Sequence, residues 1–258
     1  MHPRVDLYFV EIPLYTALVA LGALVGCLVS WLYLRTRSRR ASALGTWLDG
    51  TVIAFAVGWL GARAYHVAMH WDYYTARPEE ILQPDLGGLG IRGALIAGGL
   101  ALLIYARARQ ISFWHFADAA ALGLALGQTM GWAGALAHGA NYGVISDSNI
   151  AMDLADLYGL IQPRFPIQLA EIVLFSMLFI GLLVIAQQRQ PGSMFVAYLA
   201  IASAANFVLG FQRGDLTPVV GALTVDQLVD VLLTAFALTV WLRKQIRTDE
   251  RITEIGVG

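Results

Sequence analysis

Long apolar stretches alternate with short polar segments along nearly the whole chain. A helix that crosses a bilayer needs about 20 mostly apolar residues. Seven stretches approach or exceed this length, and the third and sixth are the shortest. They are Ile12–Leu34, Trp47–His66, Gly88–Tyr105, Phe113–Ala137, Ile167–Ala186, Met194–Phe211 and Val225–Leu242. The pattern predicts an all-α membrane protein with about seven transmembrane helices, organised as one polytopic membrane domain over residues 1–258.

The first stretch has the features of a membrane span rather than of a cleaved signal peptide. It is longer than the roughly 7–15 apolar residues of a signal peptide, and no small-residue cleavage site follows it. A cluster of arginines follows instead, which is typical of the flank that stops translocation.

Basic residues are distributed unequally between the segments that connect these stretches. Eleven of them follow the first, third, fifth and seventh stretches: Arg35, Arg37, Arg39, Arg40, Arg107, Arg109, Arg189, Arg243, Lys244, Arg247 and Arg251. The segments on the opposite side contain Arg4, Arg77, Arg164 and Arg213. Because cytoplasmic loops carry the excess of basic residues, we expect the N-terminus outside and the C-terminus in the cytoplasm.

Composition supports a membrane location and narrows the possible partners. Of the 258 residues, 58% are hydrophobic and 14% are charged, whereas a soluble domain usually has about 25% charged residues. The net charge of −1 gives no reason to expect nucleic acid as a partner. Cys27 is the only cysteine, so we expect neither a disulfide framework nor a cysteine-based metal site.

Nine ionisable residues lie within or beside the predicted spans, where a charge in lipid is costly. They are Asp49, Arg63, His66, Arg92, Asp118, His138, Glu171, Asp226 and Asp230. Asp49 and Asp118 lie near predicted cytoplasmic ends of helices. Asp226 and Asp230 lie near the start of the seventh span, where a helix N-terminus tolerates anions. We interpret these four aspartates as structural.

Four arginines lie toward the predicted outer leaflet: Arg63, Arg92, Arg164 and Arg213. Guanidinium groups bind phosphate through paired hydrogen bonds, and phosphate is the abundant anion at a bilayer surface. The pattern therefore indicates a site for the headgroup of an anionic phospholipid. The alternative is that each arginine pairs with an acidic residue of the outside segments, and the sequence leaves both open.

The fourth predicted helix contains three glycines at four-residue spacing, Gly123, Gly127 and Gly131. Small residues at this spacing allow a second helix backbone to approach closely, so we interpret them as a packing face. Gln128 lies near the middle of the same helix and needs a partner inside the bundle.

No metal site or cofactor is predicted. His66 and His70 are four residues apart, but no third ligand lies near them in the sequence. Interfacial packing is therefore the preferred interpretation over zinc binding. The sequence also contains no glycine-rich phosphate loop.

Several short motifs share an order and spacing with one protein family. They are Gly61-Ala62-Arg63 with Tyr65, the segment from Gly87 to Gly93, Ser112-Phe113-Trp114 with Asp118, the segment from Gly131 to Gly143, the segment from Arg164 to Glu171, and Phe211-Gln212-Arg213. From about Tyr15 to Arg243 the chain resembles the bacterial prolipoprotein diacylglyceryl transferases.

The resemblance implies a fold, a reaction and a location. Members of the family have seven helices with the N-terminus outside, in the bacterial cytoplasmic (inner) membrane. They transfer the diacylglyceryl group of phosphatidylglycerol to the thiol of a lipobox cysteine in a secreted precursor, releasing glycerol phosphate. No metal or organic cofactor is implied.

The resemblance also assigns roles to particular residues. Tyr15 matches a functional tyrosine of the first helix, and Glu171 matches the acid of the family's Arg-His-Pro-Ser-Gln-x-x-Glu segment. With His138 as a replacement base, they form the expected catalytic set. The expected headgroup-binding residues are Arg63, Arg92, Arg164, Gln168 and Arg213.

Other positions depart from the family pattern. Arg92 stands where the family has a histidine, and an arginine cannot serve as a general base. In the signature Gly-Arg-x-Gly-Asn-x-x-Asn-Gly-Glu, four family residues are replaced, by Trp132, Ala135, His138 and Ala140. In the segment Arg-x-x-x-Glu-x-x-Arg, the first two are replaced, by Asn206 and Gly210.

Two functions follow from these observations. One is a divergent diacylglyceryl transferase that uses His138 as the base and Arg92 as a phosphate ligand. The other is a non-catalytic subunit that retains the lipid site for binding or assembly. The expected partners are an anionic phospholipid and either a lipoprotein precursor or another membrane protein. A small-solute transporter is disfavoured because the sequence has no internal repeat.

Overall fold

A computed structural model describes residues 4–7, 10–37, 42–83, 88–186 and 190–255. Gly87 of the motifs and three arginines of the orientation argument, Arg39, Arg40 and Arg189, lie outside these residues. The chain divides into two compact units. The first unit contains Met1–Ser30 and Asp118–Gly258, and the second unit contains Trp31–Ala117.

Each of the seven predicted stretches forms a helix, which confirms the all-α membrane class. In chain order the long helices are α1 (Leu14–Arg37), α2 (Ser42–Met69), α4 (Ile91–Ala108), α5 (Phe113–His138), α6 (Ile167–Ile185), α7 (Ser193–Gly210) and α8 (Val225–Ile255). Between α2 and α4 lie the short helix α3 (Trp71–Ala76) and the 3₁₀ turn Pro78–Leu82.

Six helices in the described part of the chain are long and apolar enough to span a membrane, which is one fewer than the sequence predicts. They are α1, α2, α4, α6, α7 and α8. The exception is α5, whose 26 residues correspond to roughly 39 Å and are therefore sufficient in length. Part of it faces protein. Ala119, Ala121 and Ala125 have no exposed surface.

Glycines allow α1 and α5 to pack closely within the first unit. A Cβ atom added to Gly26 would lie 2.6 Å from the carbonyl oxygen of Gly123, and one added to Gly22 would lie 2.9 Å from that of Gly127. Since real Cβ atoms do not approach so closely, a larger residue would separate the helices. Gly131 has no atom within 4 Å of the added Cβ, so this close packing does not extend to it.

Two polar residues of α5 bind α7 in the first unit. The carboxylate of Asp118 accepts hydrogen bonds from the backbone N–H groups of Gly192 and Phe195, so it caps the N-terminus of α7. The Tyr198 hydroxyl donates to the Gln128 side-chain oxygen over 2.7 Å. Asp118 is therefore structural, and Tyr198 is the partner expected for Gln128.

A second close helix pair lies in the second unit, between α2 and α4. A Cβ atom on Gly61 would lie 2.7 Å from the carbonyl oxygen of Gly93, and one on Gly98 would lie 2.9 Å from that of Ala54. The physical basis is the same as for α1 and α5, although the sequence analysis identified only the glycine face of α5 and no such face on α2 or α4.

Two antiparallel hairpins of the first unit were not predicted from the helical pattern. β1 (Arg4–Leu7) pairs with β2 (Val10–Pro13), immediately before α1. β3 (Met152–Ala155) pairs with β4 (Ile161–Arg164), and two residues separate β4 from α6. The second hairpin therefore connects the end of α5 to the start of α6.

Candidate functional site

The turn after α5, residues 138–143, is the point where several predicted site residues of the first unit meet. The chain reverses there through left-handed conformations at Gly139 (φ 73°) and Asn141 (φ 54°). Gly139 is required on a second ground, because an added Cβ would collide with the carbonyl group of Asp156. We call this segment the 138–143 turn.

Tyr15 and His138 form an aromatic pair beside this turn. Their rings are stacked with centroids 5.5 Å apart and planes inclined by 27°. Tyr15 lies at the start of α1, and Gly134 leaves room for it, since an added Cβ would lie 3.2 Å from the Tyr15 carbonyl oxygen. An imidazole can accept or donate a proton near neutral pH, so the pair places acid–base chemistry at the turn.

Arg213 contacts the turn from the segment that follows α7. Its guanidinium group donates from Nε and Nη2 to the Asp215 carboxylate over 2.7 and 2.6 Å, and from Nη2 to the Asn141 side-chain oxygen over 3.0 Å. Within the described residues the other terminal nitrogen, Nη1, donates no hydrogen bond. The group also lies 6.0 Å from the Trp132 ring centroid. Arg213 is thus oriented by Asp215 and retains N–H groups for an anion.

Backbone pairing fixes the position of Arg213. Gly143 and Arg213 form an antiparallel bridge, supported by hydrogen bonds from Val144 N–H to the Gln212 carbonyl and from Gly214 N–H to the Tyr142 carbonyl, each 2.9 Å. The guanidinium group is therefore held against the turn by main-chain as well as side-chain contacts.

Arg164 approaches the same turn from β4. It forms a buried ion pair with Asp156, with 3.0 Å between nitrogen and oxygen, and donates to the Gly143 carbonyl over 3.3 Å. Its guanidinium carbon lies 4.6 Å from the Tyr142 ring centroid. The Nε atom is buried and has no hydrogen-bond partner in the described part of the chain.

Gln168 and Glu171 lie in the first turns of α6 and are both buried. The Gln168 amide donates to the Ala140 carbonyl over 3.0 Å, while its side-chain oxygen is buried without a partner among the described residues. With its amide oriented to donate, Asn206 of α7 lies 3.0 and 3.2 Å from the two Glu171 carboxylate oxygens. A neutral amide thus faces the buried carboxylate.

Arg63 of the second unit has different surroundings. Its guanidinium group donates to four backbone carbonyl groups, those of Glu80, Ile81, Gln83 and Gly88. The residue is 7% exposed. These contacts join α2 to the 3₁₀ turn and to the residues that follow it, so the geometry favours a positioning role for Arg63. Arg92, half-buried near the start of α4, belongs to the same unit.

Aromatic and acidic side chains surround this segment of the second unit. The Tyr73 hydroxyl donates to the Glu80 carboxylate over 2.6 Å, and this hydrogen bond raises the pKa of Tyr73. The rings of His66 and His70 are stacked with centroids 4.2 Å apart. No group of three or more potential metal ligands occurs among the described residues.

Comparison with known proteins identifies the family. The model of the prolipoprotein diacylglyceryl transferase family matches residues 4–243. The chain belongs to this family. It is 31% identical to a phosphatidylglycerol–prolipoprotein diacylglyceryl transferase of Bacillus licheniformis, over 93% of this chain and 92% of that protein. A transferase of the same name from Dehalococcoides mccartyi is also 31% identical, over 92% and 90%.

Within the first unit, the structure brings together five residues of the site expected for a prolipoprotein diacylglyceryl transferase. Of the expected residues, Tyr15, His138, Arg164, Gln168 and Arg213 contact the 138–143 turn or form part of it. Glu171 lies one helical turn from Gln168, while Arg63 and Arg92 belong to the other unit.

The sequence analysis missed two residues of this site. Asp215 and Asn141 both accept hydrogen bonds from Arg213. An acidic residue two positions after an arginine was the available signal for Asp215. Asn141 lies within the motif from Gly131 to Gly143, but no role was assigned to it.

Proposed function

We propose that this chain is a multi-pass protein of the bacterial cytoplasmic membrane that binds an anionic phospholipid and transfers its diacylglyceryl group to a thiol of a lipoprotein precursor. Membership of the transferase family supports the reaction, and the names of the relatives support phosphatidylglycerol as the donor. The observation that carries the proposal is the placement of Tyr15, His138 and Arg213 around one turn.

In the proposed reaction His138 takes the proton of the acceptor thiol. The thiolate sulfur attacks the glyceryl carbon that bears the phosphate ester, and a sulfur–carbon bond forms as the carbon–oxygen bond breaks. The electron pair of that bond leaves with the phosphate, so the second product is glycerol phosphate. A neutral imidazole is suited to this role because its ordinary pKa lies near physiological pH.

Arg213 is proposed to bind the phosphate as its negative charge develops. A guanidinium group fixed before the reaction stabilises such charge without needing to reorganise. Asp215 and Asn141 supply the fixation, and Nη1 supplies the N–H groups. Tyr15 is proposed to position the His138 ring through the stacked contact.

A second candidate function is binding without chemistry, as a lipid-binding or assembly subunit. The observation in its favour is that both charged side chains already have a partner within the chain. Arg213 is paired with Asp215, and the Glu171 carboxylate lies within hydrogen-bond distance of the Asn206 amide. Both functions require the phospholipid site, but only the first requires His138 to exchange a proton.

A transfer assay separates the two functions. Purified protein in phosphatidylglycerol vesicles would be incubated with a lipobox peptide, and mass spectrometry would detect the diacylglyceryl adduct. We expect an adduct with the wild type, none with His138→Ala, and an unchanged yield with His115→Ala, which alters an exposed histidine of the second unit. Retention of phosphatidylglycerol with no adduct in any variant would favour the binding subunit.

A further inference from the structure

We infer that the tip of the β3–β4 hairpin, residues 157–161, inserts into the interfacial layer of the bilayer and anchors the segment between α5 and α6 to the membrane surface. This inference is independent of the proposed reaction. It concerns a part of the chain that lies outside every helix long enough to span the membrane.

The tip exposes four large apolar or aromatic side chains in close succession. The exposed fractions are 42% for Leu157, 88% for Tyr158, 54% for Leu160 and 64% for Ile161. A contiguous apolar patch of this kind on a polar segment usually marks a contact with lipid or protein. These side chains therefore need an apolar environment that covers them.

The exposed conformation is built into the hairpin by a buried ion pair. One Asp156 oxygen accepts hydrogen bonds from the backbone N–H groups of Tyr158 (2.9 Å) and Leu160 (3.0 Å), and the other binds Arg164. Gly159 adopts a left-handed conformation, φ 80°, that completes the turn. Because the backbone is held in this way, the apolar side chains are fixed outward instead of collapsing onto the hairpin.

The connection to α6 favours the membrane as the occupant. β4 ends at Arg164, and α6, a candidate span, begins at Ile167. A four-residue strand extends roughly 13 Å, so the tip stays within reach of the interfacial layer next to the end of α6. A tyrosine flanked by aliphatic residues is typical of that layer, where one end of the ring contacts apolar chains and the hydroxyl remains hydrated.

The charges of the segment also indicate that it contacts lipid through apolar side chains and not through electrostatic attraction. Residues 144–163 contain no lysine or arginine, and their exposed charged residues are Asp147 and Asp153. Anionic headgroups would attract basic residues and would not attract these two aspartates. We therefore expect the anchoring to be insensitive to salt.

A depth measurement tests the anchor. In a Cys27→Ala background, single cysteines would be introduced by Tyr158→Cys and by Asp147→Cys, labelled with an environment-sensitive fluorophore and reconstituted into vesicles. A quencher would be attached to lipids near the headgroup. Asp147 is the matched control because it is exposed in the same segment. We expect a blue-shifted emission at 158 and several-fold stronger lipid quenching than at 147, at low and high salt alike.

Two outcomes would overturn the inference. One is equal quenching at both positions together with equal access of an aqueous quencher. The other is shielding of position 158 only after a lipobox peptide is added, which would identify a peptide-docking surface instead. A parallel Leu160→Cys variant keeps the test decisive if Tyr158→Cys does not fold, and neither outcome depends on transferase activity.

Discussion

Arg63 and Arg213 are predicted from the sequence to lie at the same depth, yet their guanidinium groups have different surroundings. Arg63 is nearly buried and donates to four backbone carbonyl groups of one loop. Arg213 is paired with one carboxylate and one amide, and within the described residues its Nη1 has no partner. The two residues indicate that the role of an arginine near the headgroup region depends on which of its N–H groups are left to bind a ligand. Arg63 holds a loop in place, and Arg213 can bind an anion.

The largest expected effect is on stability, from Arg63→Ala. Four carbonyl groups would lose their donor in a partly buried loop, and an unsatisfied buried group costs about 1–3 kcal/mol. We expect the free energy of unfolding to fall by about 3 kcal/mol or more, measured by denaturant titration in detergent. Phospholipid retention per folded molecule should stay unchanged. A stable Arg63→Ala protein that loses phospholipid would reverse the two roles in the comparison.

The next largest expected effect is on the transfer rate, from Asn206→Arg in the first unit. Asn206 lies where the resemblance places a family arginine, and it faces the buried Glu171 carboxylate. Asn206→Arg would supply a cation that Glu171 can hold in place. Since one preorganised charge-stabilising contact is commonly worth about 10²–10³ in rate, we expect the transfer rate to rise toward that range. The neutral control is Asn206→Gln, and an equal rate in both variants would contradict the account.

A smaller effect is expected from Asp215→Asn. The carboxylate competes with a bound anion for the Arg213 guanidinium group, so its neutralisation should strengthen phosphatidylglycerol retention. The change corresponds to about 1 kcal/mol, or several-fold in affinity, for a partly exposed pair. Native mass spectrometry across a lipid titration would measure it. Weaker retention would mean that the orienting contact of Asp215 with Arg213 matters more for binding than its competition with the anion.

The last prediction concerns the orientation in the membrane. The sequence predicts that Arg63 and Arg213 both lie toward the outer side. Single cysteines at Asp153 in the first unit, Asp72 in the second unit and Arg35 would be made in a Cys27→Ala background. A membrane-impermeant thiol reagent applied to intact cells should label the first two positions and not the third. Labelling at Arg35 without labelling at Asp153 would invert the topology.

Much of the helical framework follows from local pattern. The stretch from Ile167 to Ala186 is apolar enough to be recognised as a membrane span. The four-residue spacing of Gly123 and Gly127 indicates a packing face. The burial of α5 residues such as Ala119 and Ala125 was not predicted, because contacts with neighbouring helices depend on tertiary structure.

The contacts of the candidate site were harder to predict than the residues themselves. Arg63 and Arg213 are both recognisable as costly charges near the membrane. Several of their partners are distant or backbone groups, such as the Gly88 carbonyl and Asn141, which carry no periodic signal. The β3–β4 hairpin was missed for a related reason, since four-residue strands are too short for alternation to show.

The central claim is that the first unit binds an anionic headgroup at Arg213; the sequence also predicts a headgroup-binding role for Arg92 of the second unit. The most direct measurement is native mass spectrometry of the phosphatidylglycerol retained by the wild type, Arg213→Ala and Arg92→Ala. The control is Arg243→Ala, which alters an exposed arginine on the predicted cytoplasmic side of the membrane. We predict that retention falls about tenfold in Arg213→Ala, because a hydrogen bond to a charged group is worth about 1.5–3 kcal/mol, and that it also falls in Arg92→Ala. Retention in Arg243→Ala should match the wild type. Unchanged retention in both Arg213→Ala and Arg92→Ala would contradict the headgroup site and leave these arginines as structural ion-pair partners.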